Sequence, residues 1–125
     1  MINEKIYYDN DADISHIKDK SVGIIGFGIQ GRSQALNLRD SGINVLVSNR
    51  NDGYLEQIRE DSFTNHSIES LVQNAQIIMM LIPDAAQGEV YKKIEPHLNG
   101  SHTLVFAHGY ALRFNTINPS NIIDV

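Results

Sequence analysis

SVGIIGFGIQGRSQALNLRDSG, residues Ser21–Gly42, passes from an apolar run through a glycine-rich turn into a helical pattern. Val22-Gly23-Ile24-Ile25 has the length and composition of a buried strand. Gly26, Gly28 and Gly31 follow in the spacing G-x-G-x-x-G and lead into Ala35, Leu36 and Leu38, which repeat at helical intervals. Each glycine answers a physical need of a strand–turn–helix that holds a dinucleotide. Gly26 permits a tight turn, Gly28 lets the backbone approach a pyrophosphate, and Gly31 lets the helix lie close to the strand. The amides at the helix N-terminus, with their partial positive charge, then face the phosphates. Gly42 suits the position just past the helix C-terminus, and Ile43-Asn44-Val45-Leu46-Val47 supplies the next strand. The glycine spacing alone is weak; with a strand before it, a helix after it and a second strand following, it predicts nucleotide binding.

Outward from that unit, apolar runs and helical patterns keep alternating. Ser48-Asn49-Arg50 ends the second strand, and Asn51-Asp52-Gly53 reads as a turn. Tyr54, Leu55 and Ile58 mark the inner face of a short helix, and Phe63 is expected on a brief further strand. Ser67 is the N-cap expected for a helix whose apolar face is Ile68, Leu71 and Val72. Gln76–Ile82 (QIIMMLI) is a continuous apolar run, as a central parallel strand covered on both faces requires; it places Met79 and Met80 in the core. Pro83-Asp84 ends it. Ala85–Leu98 reads as a helix presenting Val90, Tyr91, Ile94 and Leu98 on one face, with Pro96 distorting its last turn. Gln87 and Tyr91 share a face, as helix packing requires. Thr103–Ala107 is the next strand, ending at His108-Gly109, and Ile122-Ile123-Asp124-Val125 resembles the start of another. Such alternation predicts an α/β fold, a Rossmann-type doubly wound parallel sheet with helices on both faces.

Composition narrows the partners. A chain of 125 residues with 42% hydrophobic content suits one globular domain. The formal charge is −5, and no Lys/Arg-rich stripe marks a nucleic-acid surface. With no cysteine, disulfide and thiolate chemistry are excluded. The leading MINEKIYYDND lacks the apolar core of a signal peptide, and Ile77–Ile82 is too short to cross a bilayer, so the expectation is a cytoplasmic protein without membrane contact. In residues 1–20, Lys5-Ile6-Tyr7-Tyr8 is a candidate extended piece. Asp9, Asp11 and Asp13 imitate the start of a calcium loop, but Ile14 stands where glycine is needed and Lys20 where glutamate is needed. A solvated turn capping a helix around Ile14–Ile17 is expected instead. The apolar ending suggests that the domain, taken as residues 1–125, is incomplete at its C-terminal end.

With these segments placed, the chain resembles the N-terminal domain of ketol-acid reductoisomerase, the acetohydroxy acid isomeroreductase of branched-chain amino acid biosynthesis. The resemblance rests on Lys5–Asp13, on Ile25-Gly26-Phe27-Gly28-Ile29-Gln30-Gly31, on Ala35–Gly42, on Leu81-Ile82-Pro83-Asp84 and on Phe106-Ala107-His108-Gly109. It implies an oxidoreductase that uses NADPH and magnesium. The family moves an alkyl group in 2-acetolactate or 2-aceto-2-hydroxybutyrate, then reduces the resulting 2-keto acid by hydride transfer. On the resemblance, Phe27, Gly28, Ile29 and Gln30, within the Gly26–Gly31 turn, line the pyrophosphate, and Arg50 meets the 2′-phosphate of NADP. Ile82, Pro83, Asp84 and Ala85 border the cofactor, Gly109 adjoins it, and His108 matches the histidine assigned to catalysis near the nicotinamide. The family's magnesium carboxylates lie in a C-terminal helical domain with no counterpart in these residues, so cofactor binding without turnover is expected.

Several positions depart from the family pattern. Ile29 replaces the usual serine and Arg32 the usual histidine, with Arg32 placed to offset a lost phosphate contact by charge. Serines that usually follow Arg50 are replaced by Asn51, Asp52 and Gly53, and Ala85 stands where the family often has Glu. Arg50 favours NADPH, whereas Asp52 would repel a 2′-phosphate and favour NAD with its free 2′-hydroxyl; the family's habit tips the reading to NADPH. His108 at a strand's C-terminal end is placed where open α/β sheets bind ligands. His97 and His102 read as ordinary surface residues, and His16 and His66 carry no pattern. Two function classes stay open: the cofactor half of a reductoisomerase, as a homo-oligomer or otherwise, and a stand-alone dinucleotide-binding or sensing module. A different dehydrogenase of the β-hydroxyacid type is disfavoured by Ala107-His108-Gly109 and Tyr7-Tyr8-Asp9.

Overall fold

The computed structural model describes residues 4–125, so the first three residues of the leading segment lie outside it. The elements, in order, are helix α1 (Ser15–Lys18), strand β1 (Ser21–Ile25), α2 (Ile29–Asp40), β2 (Asn44–Ser48), α3 (Leu55–Glu60), α4 (Ile68–Asn74), β3 (Ile77–Met80), α5 (Asp84–Ile94), β4 (Thr103–Phe106) and α6 (Tyr110–Arg113). The strands form one sheet in the order β2-β1-β3-β4, every pair parallel. This is the Rossmann-type arrangement the alternation predicts, and the chain reverses direction across the sheet between β1 and β3.

Strand periodicity explains why helices cover both faces. Val22 and Ile24 of β1 join Phe27, Ala35, Ile43, Val47 and Ile58 on the α2–α3 side. Ile25, Ile78, Met80 and Leu104 face the opposite way and meet Leu71 and Val72 of α4 and Tyr91 and Ile94 of α5. Successive side chains point to opposite faces, so a run apolar at every position feeds two cores at once. Ser67 caps α4, its Oγ accepting the Ser70 amide at 3.1 Å. Gly42 takes φ +83°, closing α2 in the left-handed conformation. After α5, Glu95–His97 tightens into a 3₁₀ turn where Pro96 cannot continue the helix.

Several expectations need correction. The Gln76–Ile82 run is a strand only over Ile77–Met80. Leu81 still donates its amide to the Ile25 carbonyl, but the chain then leaves the sheet toward Pro83. Phe63 is on no strand: Ser62 before it has φ +63°, and the Phe63 ring packs edge-on against Phe27 at 5.7 Å. The parallel bridge beside β2 falls instead at Asn65, paired with Val47. The ending makes a single bridge, Asp124 to Thr103, rather than a strand. Lys5–Tyr8 forms no strand and is exposed. Tyr54 is exposed as well, leaving Leu55 and Ile58 as the apolar face of α3.

The leading acids act as caps: Asp11 accepts the Tyr8 amide and Asp13 the Ser15 amide. His102 is not a surface residue. It is 6% exposed, because the Asn99–Ser101 turn folds its ring beneath α4. Its Nδ1 accepts the Asn99 amide at 3.0 Å, so Nε2 carries the proton and donates it to the Val72 carbonyl, also at 3.0 Å. Among the described residues, no helix is long and apolar enough to cross a membrane.

Candidate functional site

The C-terminal ends of β1, β2 and β3 open into one cleft of about 520 Å³. Four parts of the chain line it: Gly26, Phe27 and Gly28; Asn49, Arg50, Asp52 and Tyr54; Asn65, His66, Ser67 and Ile68; and Ile82, Pro83, Ala86 and Val90. Strand ends on either side of a topological reversal make such a crevice because the flanking helices leave in opposite directions.

Gly26 and Gly31 do what their spacing predicts. Gly26 has φ +103°, and a Cβ there would strike the Leu81 carbonyl. A Cβ on Gly31 would overlap the carbonyl oxygen of Gly26, so the helix can sit this close to the turn only without a side chain. Gly28 differs. A Cβ there would have no protein atom within 4 Å. It is the N-cap of α2 without any side-chain cap, and among the described residues the amides of Gly28, Ile29, Gln30 and Gly31 have no protein acceptor. Four unpaired donors at the positive end of a 12-residue helix, beside an open space, fit a diphosphate.

Phe27 reaches the cleft with its backbone. Its side chain is fully buried in the core, and its amide already donates to Asn49 Oδ1 at 3.0 Å. Ile29 presents its amide at the turn, and the residue is 87% exposed. Arg32 points away from the turn and forms a two-pronged pair with Asp61, at 2.6 and 3.0 Å. The Asp61 carboxyl is accordingly held below its ordinary range by the Arg32 hydrogen bond, and the Arg32 guanidinium is raised by the same contact. The offsetting role expected of Arg32 is therefore filled by no free charge.

The β2 loop is built on a residue the sequence did not single out. Asn49 accepts the Phe27 amide with Oδ1 and donates Nδ2 to Asp52 Oδ1 at 2.8 Å. Its own amide and carbonyl are held by the Asn65 side chain at 2.8 and 3.0 Å. Two carboxamides thus hold the loop, that of Asn49 to the glycine turn and that of Asn65 to the segment before α4. Asp52 lines the cleft with its carboxylate engaged by the loop. It accepts the Tyr54 amide at 2.9 Å and Arg50 Nε at 3.2 Å, and these bonds, the Tyr54 one foremost, lower its carboxyl below the usual range. Arg50 remains a largely exposed side chain tethered at one end.

The remaining candidates gather at the β3–β4 end. Asp84 is the first residue of α5, and its Oδ1 lies 3.3 Å from His108 Nε2. Ala85 follows it on the first turn, and Gly109 is the N-cap of α6. The structure thus sorts the predicted residues into two groups. Gly26, Phe27, Gly28, Arg50, Asp52, Ile82 and Pro83 share the cleft, with Ile29, Gln30 and Gly31 presenting backbone at its edge, while Asp84, Ala85, His108 and Gly109 form a neighbouring cluster. Asn49, Asn65, His66, Ser67, Ile68, Ala86 and Val90 are additional lining residues. Their signal is position alone: polar residues just past a strand end, and the first turns of the following helices. Among the described residues, no three His, Asp or Glu side chains converge to hold a metal.

Residues 16–125 match the family described as the NADPH-binding domain of acetohydroxy acid isomeroreductase. A solved NADH-preferring ketol-acid reductoisomerase from an uncultured archaeon is 31% identical, with a TM-score of 0.92 over 96% of this chain and 38% of that one. The chain thus spans well under half the length of that relative. An NAD-binding semialdehyde dehydrogenase protein from Cupriavidus necator, solved with calcium and NAD, is 17% identical over 84% of this chain and 39% of that one, with a TM-score of 0.77. Pyrroline carboxylate reductase from Plasmodium falciparum, solved with NADP, is 20% identical over 72% of this chain and 34% of that one, with a TM-score of 0.59. The last two share the fold.

Proposed function

The chain belongs to the acetohydroxy acid isomeroreductase family, whose NADPH-binding domain it matches over residues 16–125, and on that premise we propose that it holds the dinucleotide for ketol-acid reductoisomerase chemistry. The observation that carries this reading is the set of unpaired amides at Gly28–Gly31 above a space that no side chain fills. The diphosphate takes those amides, and the adenosine half lies in the cleft between Tyr54 and Ile68. Arg50, releasing Asp52, reaches a 2′-phosphate, which gives NADPH the preferred charge complement. Ile82, Pro83, Asp84 and Ala85 border the cofactor past β3, and His108 and Gly109 stand at the nicotinamide end. When bound, the nicotinamide supplies the hydride that reduces a 2-keto acid formed from 2-acetolactate or 2-aceto-2-hydroxybutyrate.

The unit proposed for this task is the domain of residues 1–125, and magnesium is assigned to residues outside it, on the family resemblance. Residence in the cytoplasm and assembly as a homo-oligomer belong to the same proposal. Calorimetric or fluorescence titration with NADPH and NADH tests the binding. The expected result is micromolar-range affinity without acetolactate turnover by these residues. Absence of binding by both dinucleotides would overturn the reading.

A further inference from the structure

Beyond the nucleotide cleft, we infer that Asp84 is a positioning residue that fixes the tautomer and direction of the His108 imidazole, so that the two act as one bridge between the ends of β3 and β4. The inference rests on the dinucleotide reading only for what the ring faces.

One hydrogen bond assigns the proton. His108 Nδ1 accepts the backbone amide of Tyr110 at 3.3 Å, so this nitrogen carries no hydrogen. In the neutral ring the proton is therefore on Nε2, and Nε2 stands 3.3 Å from Asp84 Oδ1. The ring is also met edge-on by Tyr110, with centroids 6.4 Å apart. Three contacts thus hold a side chain that is 60% exposed and would otherwise turn freely.

Asp84 is itself held. As the first residue of α5 it sits at the end of a helix that favours negative charge. Buried Gln87, one turn on, donates Nε2 to the Ile82 carbonyl at 3.1 Å and lies 3.5 Å from the same Asp84 oxygen. A buried carboxamide, a helix-end carboxylate and an exposed imidazole therefore form a chain running from the core to the surface. An orienting partner of this kind sets which nitrogen donates and along which line. A group entering beside β4 meets an imidazole whose tautomer and orientation are set beforehand.

Nitrogen-15 histidine spectra of the chain, with His108 assigned through His108→Asn, test this at a pH where the rings are neutral. The wild type should show His108 as a single Nε2–H tautomer. Asp84→Asn, which keeps an accepting oxygen, should preserve that pattern. Asp84→Ala should move both ring nitrogens toward the averaged values of a free imidazole. A ring that is already averaged in the wild type, or one indifferent to Asp84→Ala, would overturn the inference. Added NADPH should shift the His108 ring signals together with the Gly28–Gly31 amides. Amide shifts without ring shifts would also overturn it. No shift anywhere would instead refute the dinucleotide reading, leaving the tautomer measurements to decide on Asp84.

Discussion

Gly28→Ala should separate binding from folding. Gly28 has φ −73° and ψ −163°, backbone that alanine adopts without strain, and a Cβ there meets no protein atom within 4 Å. Replacing glycine at such a site stabilises by about 0.4–1 kcal/mol through the unfolded chain. Losing glycine as the N-cap of α2 costs about 0.5–1 kcal/mol. The two nearly cancel, so Tm should stay within about 3 °C of the wild type on the scale expected for a domain of this size. The methyl group nevertheless enters the space proposed for the diphosphate. Overpacking by one methyl costs about 1–3 kcal/mol, which converts to roughly 5- to 150-fold weaker affinity. Gly31→Ala is the control: its Cβ overlaps the Gly26 carbonyl oxygen, and backbone cannot move aside as a side-chain tip can. A similar cost of about 1–3 kcal/mol would then appear in stability, as a Tm loss of roughly 5–15 °C. Differential scanning calorimetry and NADPH titration of both variants read the two effects. Unchanged affinity in Gly28→Ala, or a Tm loss matching that of Gly31→Ala, would refute the reasoning.

The Arg50–Asp52 pair and the Arg32–Asp61 pair give further predictions. Asp52→Asn keeps the oxygen that accepts the Tyr54 amide but frees Arg50 of its negative partner. NADPH should bind about 3- to 10-fold more tightly while NADH changes by less than about twofold, a charge-assisted bond being worth about 1.5–3 kcal/mol before solvent screening; parallel titrations decide it, and an equal gain for both dinucleotides would contradict it. The Asp61 carboxyl is held below its ordinary value of 3.8, chiefly by Arg32. Its folded-state value lies below the unfolded one, so its contribution is complete above the unfolded value and fades as pH falls through the folded one. Wild type should therefore be more stable than Asp61→Asn at pH 6, and the gap should close as pH drops below about 4. Urea titrations across that range measure it, and a gap independent of pH would exclude the ion pair as its source.

Much of this architecture was legible because the governing constraints are local. Alternating apolar runs and helical spacings concern neighbours a few residues apart, and they predicted a doubly wound parallel sheet. The tasks of Gly26 and Gly31 follow from a positive φ and a missing Cβ, both properties of the turn itself. What failed was short or polar: Phe63 as a strand and His102 as a surface residue.

The sequence alone therefore determined the sheet, the glycine turn and the end of the sheet at which a ligand would sit, since each depends on period and backbone freedom. Only the tertiary structure decided which polar groups remain free. Asn49 takes the Phe27 amide across 22 residues, Arg32 finds Asp61 across 29, and His102 meets Val72 across 30. Hydrogen bonds of that reach leave no periodic trace in the chain, because they depend on where folding brings the elements together.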